Sequence, residues 1–542
     1  MSSAQQDLEG IAREVIQDSF HMDPVGATWM GEHTFDSLLP DLTKYGQGQF
    51  AQRIEGYLTA LDAVDDVELA LTDLVDLEIL RAFLTRAHFD ITQVAAHTWN
   101  PMLWNPGTAI HLLLSRDFAP LEERMANVAD RCEKIPNFLE QARNTLEEMP
   151  EIHCETAIAQ LAGTRALLES LEMQSQIIES VDQHVEWLKE QLPFANKSPR
   201  MGPEIYSGIL WHSLDAESNV QELLVAAHQH LDLVNSQMLQ VAQEYLAEIE
   251  IDIEIEDNGD PISWALAQIA ESAPVTDSTV LSQVASAMAA AKAFTIERDL
   301  VTVPEIDVEV IQMPEIHRGV AVAYCDAPGP LEQAHVPTFV AVAPTPAQWA
   351  SERKESFFRE YNGVQIHDLT IHEAIPGHVL QLAVASHGSE QSLTRRFGFS
   401  GTFVEGWAVY AEELLISQGY SPEPTKPSAL AIRLQQLKMQ ARMSINAILD
   451  VSVHTQEIDE DEAMSLMINR GYQEESEAAG KWRRALLTAG QLPTYFVGYR
   501  EVRQLAEDLR LMHPDWSWRE VHDLMLQFGS PAPRHVRQLL GL

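Results

Sequence analysis

The chain has 542 residues, of which 45% are hydrophobic, 22% charged and 7% aromatic, a make-up that excludes a disordered chain, a collagen-like repeat and a small disulfide scaffold. With 36 Lys+Arg against 81 Asp+Glu the formal net charge is −45, so most of the surface repels phosphate backbones and anionic lipid, and neither nucleic acid nor membrane is an expected partner. Cys132, Cys154 and Cys325 are too scattered for a zinc knuckle or a disulfide framework. No apolar run reaches the roughly 18 residues of a membrane span and no signal-peptide pattern opens the chain, so the expected location is cytoplasmic, with the oligomeric state left open.

Through the first 300 residues, apolar positions recur three and four apart in Leu8–Phe20, Val67–Phe89, Leu121–Leu146 (with a break expected at Pro136), Thr156–Leu188 and Val220–Leu246. This pattern predicts a helical scaffold lobe over 1–300. Ile249–Asp257 alternates apolar and acidic residues, as a strand would, but directly continues a helix. Between residues 301 and 345 the texture changes to short Val-rich runs, Ile306–Ile311, Gly319–Tyr324 and Val336–Val342, separated by Pro and Gly, which predicts a small β-sheet. Its last run is a candidate edge for an extended ligand. Helical patterns return over 346–542, interrupted at Gly419–Pro427 and near Gly490–Pro493, and the three parts are expected to form one continuous unit.

The chemistry concentrates in Thr370-Ile-His-Glu-Ala-Ile-Pro-Gly-His-Val-Leu-Gln381. A helical His-Glu-x-x-His places two imidazoles on one face beside a carboxylate base. Here His378 follows His372 by six residues, which on a regular helix rotates it off that face. Pro376 cannot donate a helical hydrogen bond and Gly377 accepts unusual dihedrals, so a bulge or kink between them is expected to bring His378 back to the metal, with Glu373 as general base. A catalytic zinc takes three protein ligands. Glu405, flanked by the small residues Gly406 and Ala408, supplies the third, and Glu412, two turns on along the same face, is placed to orient a ligand from behind.

Taken together, His372-Glu-Ala-Ile-Pro-Gly-His378 and Glu405-Gly-Trp-Ala-Val-Tyr-Ala-Glu412 resemble the bacterial domain-of-unknown-function family 885, whose members are similar to gluzincin metallopeptidases. Tyr361-Asn362, Arg442, Asp450-Val-Ser-Val-His454 and Gln491-Leu-Pro-Thr-Tyr-Phe-Val-Gly498 agree with the resemblance. It implies one Zn2+ per chain, held by His372, His378 and Glu405, with Glu373 polarising the attacking water. Val379 departs from it, since many relatives carry a further histidine there.

The implied fold is mostly α, large, two-lobed and metallopeptidase-like, with the small β-sheet beside a deep cleft. His454 and Tyr495 are the alternatives for steadying the oxyanion. Asp450, one turn before His454, would fix its tautomer. Arg442, Arg484 and Arg500 are assigned to the substrate; a guanidinium of Arg483, Arg484 or Arg500 can receive a peptide carboxylate, although ion pairing of these three with Glu474, Glu475 and Glu477 is equally open. The expected activity is zinc-dependent hydrolysis of short peptides. A metal-dependent amidohydrolase acting on a non-peptide amide and a catalytically silent peptide-binding protein are the alternatives.

Overall fold

The computed structural model describes residues 2–216, 219–251, 259–314, 322–346, 349–387, 391–456 and 458–542. Helices dominate. Those expected in the first half form at Ser3–Met22, Leu71–Phe89, Leu121–Thr145 and Val220–Glu248, while the long Thr156–Leu188 pattern is divided into Glu151–Ser170 and Ser175–Gln191. The division falls at Glu172, whose positive φ of 52° no helix interior accommodates. Pro136, by contrast, does not end its helix, which runs on from Leu121 to Thr145. Packing decides that outcome: Cys132, Ile135, Phe138 and Leu139, on either side of the proline, are all buried in one apolar cluster. The alternating Ile249–Asp257 stretch lies, from residue 252 on, outside the described residues.

Three strands form one sheet in the order β1-β3-β2: β1 (Val308–Gln312) runs parallel to β3 (Thr338–Val342), and β2 (Ala323–Asp326) pairs antiparallel with β3. The Val336–Val342 run therefore lies at the centre of the sheet and has no free edge, which corrects its reading as a ligand-binding edge. Its burial explains the placement, since Val340, Ala341 and Val342 are all covered. Among the described residues the two edges of the sheet are β1 and β2.

Buried apolar side chains from Tyr206 to Val301 share one large core with the helices of the C-terminal half, whereas residues between Trp104 and Ala195 and between Ala4 and Leu84 form clusters of their own. Two long helix pairings organise the large core: Val220–Glu248 packs on Lys426–Thr455, and Gly401–Ser417 on Pro493–Met512. The second pair touches backbone to backbone. A Cβ built on Gly406 would meet the carbonyl carbon of Gly498 at 2.3 Å, and one on Gly498 would meet the Thr402 oxygen at 2.0 Å. Only glycine fits at either position. No helix among the described residues is long and apolar enough to cross a membrane.

Candidate metal centre

The first histidine-bearing helix, Gly363–Glu373, starts where Asn362 accepts hydrogen bonds from the backbone N–H groups of Val364 and Gln365. It stops at Ala374. The Ile375–Pro376 peptide is cis, the Gly377 N–H turns back to the Ile371 carbonyl at 3.0 Å, and a new helix begins at His378. The expected kink is thus a complete break between two helices. A Cβ on Gly377 would stand 1.9 Å from the His372 carbonyl oxygen, so the turn closes only with glycine. Trp407 Nε1 donates to the Pro376 carbonyl at 2.8 Å and ties this turn to the helix that carries Glu405.

The break returns His378 to His372, with ring centroids 4.7 Å apart and planes at 88°. Glu405 Oε2 lies 3.5 Å from Nε2 of each imidazole, and donor atoms of the three residues all fall within 4.8 Å of one another. These separations are long for hydrogen bonds. They are close to the roughly 3.3–3.4 Å that separates ligands placed about 2.0–2.1 Å from a tetrahedral zinc. Behind His372, Glu412 Oε1 accepts from Nδ1–H at 2.7 Å, which leaves Nε2 with its lone pair toward the centre.

Charge in this pocket is unbalanced in a way that suits a cation. Burial and the nearby Glu412 raise the Asp368 carboxyl well above its ordinary range, so that pair carries one charge. Burial works against ionised Glu405, but His372 and His378 overcome it and hold the carboxylate well below the usual value. Burial likewise opposes charge on His372, and Glu405 and Glu412 still push its proton affinity well up. Among the described residues, Glu405 Oε2 and His378 Nδ1 are buried without a hydrogen-bond partner. Carboxylates thus outnumber fixed cations around two imidazoles, and the donor set fits a divalent metal.

Glu373 is 9% exposed and its Oε2 accepts from the Cys325 N–H at 3.0 Å. In the antiparallel β2–β3 register, Ala343 N–H pairs with the Val322 carbonyl, so Cys325 directs its own N–H away from β3, along the β2 edge of the sheet. Burial raises Glu373 above the ordinary carboxylate range, while both imidazoles pull the other way. Tyr495 stands within the fields of Glu405 and Glu373 and beside Arg484. Burial, first of all, lifts its phenol far up, so the hydroxyl stays protonated and available as a donor. The Gly406–Gly498 contact brings its helix against that of Glu405.

This chain belongs to the family of bacterial proteins of unknown function DUF885. The family's sequence profile matches residues 24–540. Two solved structures share the DUF885 chain's fold over 100% of both chains: a candidate lipoprotein of unknown function from Shewanella oneidensis, at 26% identity and TM-score 0.83, and a candidate lipoprotein from Colwellia psychrerythraea, at 17% identity and TM-score 0.80. No curated protein matches the chain.

Several expected site residues of this DUF885 member lie elsewhere. His454 is 2% exposed, accepts from the Met201 N–H at Nδ1 (3.2 Å) and donates from Nε2 to the Thr488 carbonyl (2.9 Å), so neither nitrogen is free to meet an oxyanion. Asp450 does not orient it. Its Oδ2 accepts instead from the Tyr206 hydroxyl at 2.7 Å and the Gly490 N–H at 2.8 Å, and the Tyr206 ring stacks on that of His454. Arg442 is committed to Glu477, with Tyr361 and Glu360 alongside, and Arg500 lies exposed across the Phe496 ring. Of the three arginines, Arg484 is the one beside Tyr495, where it also bonds Gln491 at 2.5 Å. The Cys325 N–H and Asp368 had no signal in the sequence, because one is a backbone group and the other is defined only by its neighbours. Gly498 stood at the end of a quoted motif without a role.

Proposed function

We propose that this chain is a gluzincin-like, zinc-dependent hydrolase that cleaves peptide bonds of short peptides. The observation that carries the reading is the meeting of His372, His378 and Glu405 within 4.8 Å beside Glu373, a buried carboxylate that accepts from the Cys325 backbone N–H. Zn2+ bound by those three residues would supply Lewis acidity and make water nucleophilic near neutral pH.

The chain's own groups then divide the remaining work. Glu373, raised by burial, is suited to take a proton from the attacking water and later return it to the leaving amine. The Cys325 N–H fixes one oxygen of that carboxylate, leaving the other to face water. Tyr495, protonated and close to Glu405 and Glu373, donates to the oxyanion of the tetrahedral intermediate. Glu412 holds the His372 ring in orientation and tautomer. The proposed two-lobed arrangement would enclose the site and favour short peptides over folded proteins. A cytoplasmic location is part of the proposal and agrees with three unpaired cysteines; the lipoprotein description of the structural neighbours favours the cell envelope instead, and cell fractionation decides between them.

The test is a panel of unstructured peptides and acylated amines incubated with zinc-loaded chain, with mass-spectrometric product detection and Glu373→Gln as the control. Peptide cleavage that disappears in Glu373→Gln, with about one zinc per chain retained, is the expected result. Turnover of acylated amines alone would replace the peptidase reading by the amidohydrolase one, and no turnover of anything would return the chain to peptide binding without catalysis.

A further inference from the structure

The helix Glu475–Leu487 presents Glu477, Lys481 and Arg484 on one face, at spacings of four and three residues. That face meets a dense set of charges. Lys438 bonds Glu360 at 2.9 Å, Arg442 takes Glu477, and Arg359 takes Glu474 at 2.8 Å, so each nearby carboxylate already has a cation. Lys481 has none. It is 7% exposed, yet among the described residues its ammonium makes no hydrogen bond and no ion pair within 4.0 Å. Among the described residues, its neighbour Arg484 makes one side-chain hydrogen bond, to the neutral Gln491, and lies beside the Tyr495 hydroxyl. Asp450, the carboxylate acting on Arg484, spends its Oδ2 on Tyr206 and Gly490.

Among the described residues, two cations, the buried Lys481 and the partly exposed Arg484, are therefore left without a carboxylate of their own in a protein whose net charge is −45. An unpaired buried charge is costly, and natural chains retain one where a ligand pairs it. Burial, with Arg442 adding to it, presses the Lys481 ammonium well below its ordinary proton affinity, as expected of a site short of one negative charge. Position makes the surplus useful: Arg484 touches Tyr495, and Tyr495 lies in the fields of Glu405 and Glu373.

We propose that Lys481, together with Arg484, receives the free terminal carboxylate of the substrate, so that the substrates are short peptides ending in an unblocked carboxylate close to the scissile bond. This rests on the hydrolase reading for the word substrate, and the binding site itself does not. Arg484 offers a planar fork to the two carboxylate oxygens and Lys481 a point charge. A C-terminal amide offers neither the charge nor a second acceptor.

The experiment titrates full-length Glu373→Gln chain, by calorimetry, with N-acetylated di- and tripeptides as free acids and as the matching C-terminal amides. Acids should bind about tenfold or more tightly than amides. In the background of Lys481→Met that ratio should fall to near one, and Lys481→Arg should restore part of it. Equal affinity for acid and amide in the parent, undetectable binding of every peptide at millimolar concentration, or an undiminished ratio in Lys481→Met would each overturn the proposal. The parent comparison needs no substitution at Lys481, so a poorly folding Lys481 variant does not rescue it. If acids are preferred in binding while the unsubstituted chain cleaves neither form, the carboxylate site stands and the hydrolase reading falls.

Discussion

Replacing Asp450 by Asn should stabilise the protein at alkaline pH and do so much less in acid. Asp450 is fully buried, and desolvation, opposed by the Tyr206 and Gly490 hydrogen bonds, lifts its carboxyl from 3.8 to about 7. A raised folded-state value means that the native chain holds this proton longer than the unfolded chain does. Between the two values the native state binds more protons, so stability falls as pH rises toward 7 and is flat above it. Between about pH 5 and pH 8 the loss is about 3 kcal/mol. Asn keeps an oxygen to accept from Tyr206 and Gly490, and its amide replaces Oδ1, which has no partner. With an unfolding entropy of about 2.1 cal/mol/K per residue, the variant's advantage in Tm over the parent should be about 2–3 °C larger at pH 8 than at pH 5. Differential scanning calorimetry at both pH values measures it, and titrations elsewhere cancel because the parent is the reference. An advantage that does not change with pH, or that is greatest in acid, would refute the reasoning.

Glu412→Ala removes the acceptor that holds His372 Nδ1–H, and zinc affinity should fall by about 10–100-fold in a chelator competition, with the helical circular dichroism unchanged. Gly498→Ala places a methyl group 2.0 Å from the Thr402 oxygen, so the two crossing helices must separate. The expected results are a loss of about 1–3 kcal/mol in urea unfolding and a drop in peptide turnover larger than the drop in bound zinc, because Tyr495 moves while the histidines do not.

What the sequence disclosed follows from what local pattern can encode. The long helices were legible because apolar spacing of three and four is repeated over many turns, and the break between His372 and His378 was legible because Pro376 and Gly377 act on their own backbone. Glu405 and Glu412 were legible through helical spacing. Pro136 misled because burial on both sides of it outweighs one missing hydrogen bond. His454, Asp450 and Arg442 have partners that the sequence did not show for a different reason: spacing along a helix says which face a side chain shares, not which distant residue arrives there first. Met201, Tyr206, Gly490 and Glu477 arrive there, from other parts of the chain. Which strands form the edges of the sheet was likewise a matter of strand order, which a run of valines does not record.

The hydrogen bond from Trp407 to the Pro376 carbonyl has a thermodynamic consequence. Trp407 is fully buried, and it joins the turn between the two histidines to the helix of the third donor by a link that contains no ion. In small zinc-folded domains the cation must organise its own ligands, and its affinity is diminished by the entropy of doing so. Here apolar packing has already arranged the donors, so an arriving cation loses almost nothing to ordering. The same economy would make a bound metal exchangeable: a chelator that emptied the centre would remove a charge from a standing frame and leave the frame in place for the next ion.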